Sequence, residues 1–287
     1  MIYLLLSILA STAIFVVFKL FERYKINTLQ AIVFNYITAC ICGLLSYESS
    51  INASAIFNAK WFYGAILLGF LFICVFNLMA TTAQRNGLSV ASVASKMSVV
   101  IPVIFGLYAY NESIGFQKVF GIILALVAVY LTAIKGKTSI SIKQGLLLPF
   151  LLFLGSGIID ASIKYLETTY VSKNGIPIFS ATIFGCAAII GLCILVFKAL
   201  NKTFKFEIKN AFGGILLGII NYYSIYYLLK ALQFEGFESS TLFTVNNVAI
   251  VMVSTLVGLL LFRESISKKN WIGISLAIVS ILLVTLA

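Results

Sequence analysis

The sequence predicts an all-α integral membrane fold, ten transmembrane helices arranged as two inverted five-helix repeats, and three observations carry that expectation. First, 61% of the 287 residues are hydrophobic and only 10% are charged. A hydrocarbon core about 30 Å thick takes about 20 apolar residues at about 1.5 Å rise each, and soluble cores do not supply such runs repeatedly. Second, polar punctuation divides the chain into ten apolar stretches of about that length. Third, two runs half a chain apart, Gly87 to Glu112 and Gly236 to Glu264, each open on glycine, close on glutamate and are followed by a further glycine, Gly121 or Gly273.

The spans are expected at residues 2–20, 30–47, 61–81, 88–110, 115–134, 144–163, 176–197, 211–232, 237–262 and 270–286. Helices satisfy every backbone polar group within lipid, whereas a closed barrel would show alternating strands of about ten residues. The first span lacks a basic leader and runs into Lys19-Leu20-Phe21-Glu22-Arg23, so it reads as a retained helix and not a signal peptide. Asn35, Cys40 and Cys42 fall in the second span; Gly64, Gly69, Cys74 and Asn77 fall in the third. The fourth carries Lys96 and Pro102, and Pro102 is the one proline well inside a span, where it can break or bend the helix. The fifth follows Glu112. The sixth carries Pro149 and Asp160, with Lys164 one turn further on, and the seventh carries Pro177, Cys186 and Cys193. Gly214, Gly218 and Asn221 mark the eighth, Asn246 and Asn247 the ninth, and Gly273 the tenth. The five cysteines lack metal-ligand spacing and read as packing residues. Glu112 and Glu264 read as scaffold, each able to stabilise the N-terminus of the helix that follows it.

The second half can be laid on the first. Lys19 and Glu22 match Lys164 and Glu167, Gly69 matches Gly218, and Gln84 to Gly87 matches Gln233 to Gly236. The units expected are residues 1–137 and 138–287. Five spans per unit is an odd number, so the copies cross the membrane in opposite directions, the arrangement that permits alternating access. Loops after odd-numbered spans hold or border fourteen basic residues, from Lys19, Arg23 and Lys25 to Lys268 and Lys269. Loops after even-numbered spans have five: Lys60, Lys118, Lys164, Lys173 and Lys230. Because basic loops stay cytoplasmic, this bias places both termini outside.

Several function classes fall away. With no histidine, the commonest metal ligand and general base is missing. No Gly-x-x-x-x-Gly-Lys loop is present to cradle a nucleotide. Neither catalysis, a metal nor a cofactor is expected. The net charge of +11 is spread over short loops, where it sets topology, so no nucleic acid is expected either.

At the two long runs the chain resembles a known family. Gly87-Leu-Ser-Val-Ala-Ser-Val-Ala, then Ile101-Pro102-Val-Ile, then Tyr110-Asn-Glu112 and Gly121 resemble the end of an EamA-type repeat of the drug/metabolite transporter superfamily. The second copy, Ala231-Leu232 through Glu264 to Gly273, is similar but lacks the proline and carries Asn246, Asn247 and Val248 nearby. The resemblance implies ten helices and transport of small metabolites, with both termini in the cytoplasm, opposite to the lysine bias. Sugar-phosphate members carry a lysine close before the proline of the fourth helix, but Lys96 is displaced from that position by two residues, roughly 200° around a helix. That phosphate role is not carried over.

Lys96 is the first candidate for substrate binding, since nine residues into the fourth span puts it roughly 13 Å deep. A charge there costs about 2.5–3.5 kcal/mol on insertion scales, which points to function unless the side chain snorkels to an interface. Asn246 and Asn247, with Asn221, Tyr222 and Tyr226 on the eighth span, offer amides and phenols for a polar ligand. The alternatives are interhelical hydrogen bonding for the asparagines and packing or an interfacial belt for the tyrosines, Tyr223 and Tyr227 included. Asn77 is a further candidate of this kind. Asp160 and Lys164 share a helix face at i,i+4, as an ion or proton coupling pair or as an interfacial ion pair. Together these features predict a secondary transporter of a small polar metabolite in the cell (inner or plasma) membrane, with a lipid or amphiphile flippase or channel as the alternative. Its expected partners are the substrate, the lipid bilayer and a coupling ion, with the chain as a monomer or homodimer.

Overall fold

A computed structural model describes residues 2–47, 53–109, 115–133, 142–171, 175–201, 205–232 and 239–285, and every regular element among them is a helix. Tyr110 to Glu112, Lys135, Lys137, Lys173, Lys202 and Gln233 to Gly236 lie outside the described residues, as do the side chains of Lys118 and Lys143.

The helices are α1 (Ile2–Arg23), α2 (Thr28–Leu45), α3 (Ala53–Phe57), α4 (Phe62–Asn86), α5 (Leu88–Met97), α6 (Val100–Ala109), α7 (Phe116–Ala133), α8 (Ile142–Tyr170), α9 (Ile176–Leu200), α10 (Ile208–Leu232), α11 (Ser239–Phe262) and α12 (Lys268–Thr285). Among the described residues eight stretches are long and apolar enough to cross a membrane, and Val119–Thr132 of α7 is a shorter apolar stretch. The chain is a multi-pass membrane protein.

Local chemistry sets the ends. Asn27 opens α2 by accepting from the Gln30 backbone N–H at 3.2 Å, and Pro177 sits in the first turn of α9, where no intrahelical N–H is needed. At the start of α12, Asn270 N–H donates to Ser267 Oγ and Ser267 N–H donates back to Asn270 Oδ1. A single residue, Gly87, turns α4 into α5 at φ 105°, ψ 165°, a conformation essentially confined to glycine.

The fourth span is two helices, not one. Pro102 has no N–H to give the Ser98 carbonyl and its ring crowds that oxygen, so α5 stops at Met97 and Ile101 N–H turns to Ser98 O at 2.9 Å. Pro149, by contrast, lies within a continuous α8.

Glycines let the helices approach until side chain meets backbone, the way bundles cohere where water does not drive association. A Cβ on Gly191 of α9 would meet Val33 of α2, and one on Gly43 of α2 would meet Ala181 of α9. Gly121 of α7 lies against Leu283 and Val284 of α12, and Gly273 of α12 lies against Ala128 and Thr132 of α7. On α5 and α11, Ser254 Oγ donates to Ser92 Oγ at 2.6 Å, while Leu88 lies beside Gly258. In each pair the residue number rises along one helix as it falls along the other, so all three pairs are antiparallel. Elsewhere α10 packs on α1 and α2, α4 packs on α8 and α9, α1 meets α11, and α8 meets α5 and α6. The largest core centres on Tyr36, whose ring contacts Phe72, Phe76 and Phe184 and whose hydroxyl donates to Phe72 O at 2.8 Å.

One end of the bundle is tied by polar contacts. Lys19 Nζ donates to Gln84 O at 2.6 Å, Gln84 Nε2 to Phe18 O at 2.9 Å and Asn210 Nδ2 to Gln30 Oε1 at 2.9 Å. Asn270 Nδ2 reaches Thr132 O at 2.6 Å. These contacts gather the ends of α1, α4 and α7 with the starts of α2, α10 and α12, and the segments there hold Arg23, Lys25, Arg85, Arg263, Lys268 and Lys269.

Candidate functional site

The break in the fourth span delivers the site. Lys96 stands on the last turn of α5, half-buried, and Ser98 sits in the break itself. The Ser98 hydroxyl donates to Ser95 O at 2.5 Å and lies 3.5 Å from Asp160 Oδ2 on α8, the outer limit of a hydrogen bond. The Lys96 ammonium and Asp160 carboxylate act on each other through space.

Asp160 is an exposed residue of α8. The exposed apolar residues Leu147, Leu151, Ile158 and Tyr165 form one stripe along α8, and Asp160, two residues past Ile158, points roughly 200° away from it. Asp160 thus keeps accessible surface on the face of α8 turned from that stripe, where Ser98 of the break approaches it. Across the bundle the charge that acts on Asp160 is Lys96, and Lys164 is an exposed residue one turn further along α8.

On α11, Asn247 lies seven residues from Ser254 and so on the face that meets α5, whereas the exposed stripe runs through Val245, Met252 and Leu256. The Ser92–Ser254 contact fixes a register that brings Asn246 and Asn247 level with Val99 and Val100, at the break. Asn246 is 1% exposed, and its Oδ1 has no partner among the described residues. Thr12 Oγ1, Asn35 Nδ2 and Ser156 Oγ share that condition. Unpaired buried polar atoms are costly within a bilayer, and a hollow that holds water or a ligand relieves the cost.

The remaining candidates go elsewhere. Asn221 Nδ2 donates to Asn35 Oδ1 at 3.2 Å, tying α10 to α2. Tyr222 donates to Ser46 Oγ at the end of α2. Tyr226 lies on the outward stripe of Ile208, Phe212, Ile215, Ile219 and Tyr223, stacked on Tyr222, with Lys230 Nζ 5.8 Å from its ring centre. Asn221, Tyr222 and Tyr226, expected with Lys96 as substrate ligands, are turned by the 3.6-residue period toward α2 and the outward face of α10. Asn77 Nδ2 donates to Ile73 O at 2.8 Å within its own helix.

Glu264 makes a contact that its place in the sequence does not announce. Its carboxylate accepts the Leu88 N–H at the start of α5, at 2.9 Å to Oε1 and 3.1 Å to Oε2, while Ser267 and Asn270 cap α12. Ser98 is the residue that composition and spacing do not single out. Its signal is Pro102, which strips a partner from the carbonyl four residues before it.

The first half of the chain is similar to a transporter-family unit. Residues 1–134 match the EamA-like transporter family, which belongs to the drug/metabolite transporter superfamily. An uncharacterized protein of Haemophilus influenzae is 28% identical, over 94% of this chain and 93% of its own. A protein crystal structure with 14% identity superposes at a TM-score of 0.57, over 98% of this chain and 97% of that one, and shares the fold.

Proposed function

We propose that the chain is a secondary carrier for a small polar metabolite, working by alternating access between two inverted five-helix units, residues 1–137 and 138–287, through ten crossings. What supports the inversion is the antiparallel packing of all three pairs of sequence-matched helices, α2 with α9, α5 with α11 and α7 with α12. A rotation that exchanges the halves about an axis in the membrane plane sets matched helices against each other in this sense. The observation that carries the site is Lys96 opposite Asp160 at a helix break in the interior of the bundle. Charges at such depth persist where they face a cavity and handle substrate or ion.

Lys96, Ser98, Asn246 and Asn247 bind the metabolite. Asp160 balances Lys96 in the empty carrier and takes up the coupling proton or cation, with Lys164 one turn away on the same helix face. Asn221, Tyr222, Tyr226 and Asn77 hold helices or face lipid. The basic end faces the cytoplasm by the positive-inside bias. Labelled-solute counterflow in proteoliposomes tests the reading, with candidates chosen by thermal shift of purified protein. A carrier accelerates exchange of at least one solute and loses that acceleration in K96M. Failure of every stabilising solute to exchange overturns it.

A further inference from the structure

The Glu264 contact joins two helices that alternating access requires to separate. Glu264 follows α11, and its carboxylate holds the first N–H of α5, the helix that carries Lys96. The fit is tight on two sides. A Cβ on Gly87 would come within 2.8 Å of Oε2, and one on Gly258 within 2.6 Å of the same atom. Glu264 N–H is itself held by Gly258 O at 3.0 Å, which folds the chain back under the end of α11. One turn inward lies the Ser92–Ser254 hydrogen bond, both residues fully buried. Below it stand Lys96 on the last turn of α5 and Asp160 on α8.

We propose that Glu264 is a latch: its carboxylate, seated between Gly87 and Gly258 on the α5 N-terminus, holds the carrier shut at the basic end, and that end opens only when the contact breaks. The contact is suited to reversal. A carboxylate on a helix N-terminus satisfies open backbone donors and the positive end of the helix dipole, and water can replace it when the helices part. Both glycines leave room for the carboxylate, so the latch is set by space as well as charge. This inference rests on the alternating-access reading.

The test reads conformation directly. In a background with the five native cysteines replaced by serine, Ser92→Cys reports opening at the basic end and Ser98→Cys reports access from the opposite end, each by membrane-impermeant maleimide in vesicles of known sidedness. E264A, which removes the acceptor, and G258A, which crowds it while leaving Glu264 in place, are both expected to raise Ser92→Cys labelling from the basic end at least tenfold. Ser98→Cys labelling from the opposite end is expected to fall. E264Q, which keeps an acceptor oxygen, is expected to stay within about twofold of the parent. Labelling that rises at both ends together, or at neither, overturns the latch. A switch in labelling alongside failed counterflow with every solute would retain the latch and remove the carrier reading. Working counterflow without the switch would do the reverse.

Discussion

Lys96 and Asp160 stand on neighbouring helices, each the other's counter-charge inside the bundle. Removing one strands the other, and an uncompensated interior charge is costly. K96M is therefore expected to lower the thermal midpoint and to weaken ligand-induced stabilisation by about tenfold or more, equivalent to about 1.4 kcal/mol. The double variant K96M/D160N is expected to recover the midpoint but not the ligand response, measured by thermal unfolding in detergent with and without solute. A pair held only for stability would show no separation between the two readouts. Asn246 and Asn221 form a second contrast. N246L exchanges an orphaned carbonyl for apolar surface and is expected to hold or raise the midpoint while reducing exchange. N221L breaks the bond to Asn35 and is expected to cost about 0.6–1.7 kcal/mol with exchange intact.

The fourth span shows how one residue shapes an element. Pro102 ends α5 at Met97, and the break sets Ser98 against Asp160 and places Asn247 of α11 beside it. P102A restores an N–H to the Ser98 carbonyl and removes a steric clash that together cost about 3 kcal/mol or more in an uninterrupted helix. Slower amide exchange across residues 98–102 and at least a tenfold loss of counterflow are the expected outcomes. Unchanged transport would mean that the break is incidental to the site. The spacing of Pro102 made this break legible, whereas the sense in which α11 faces α5 was not, because sequence periodicity gives a face and not the neighbour that covers it.

Across the whole molecule, Gly121 and Gly273 interlock α7 and α12 reciprocally, each against the other helix's far end. A Cβ at Gly273 would stand 2.9 Å from Thr132 N and 3.0 Å from Ala128 O, atoms of backbone that cannot rotate aside. G273A is expected to cost about 1–3 kcal/mol, as overpacking does, with the midpoint of unfolding in lipid as the measure. G121A, which meets a Val284 methyl at 2.7 Å and backbone only at 3.2 Å, is expected to cost less. Equal effects would argue against the geometry of this interlock.

Composition determined that the chain is a membrane protein of helices, since lipid leaves the backbone no partners but its own. Gly87, Pro102 and Glu264 marked where α5 begins, where the fourth span breaks and where α11 ends. Sequence could not decide which groups meet across the bundle. Asp160 and Lys164 share a helix face by spacing, yet the charge opposite Asp160 belongs to Lys96, 64 positions earlier in the chain. Glu264 stands near α12 in sequence, yet it binds the start of α5. Those partnerships belong to tertiary structure because interhelical contacts depend on how helices cross and face one another, and local spacing contains no information about either.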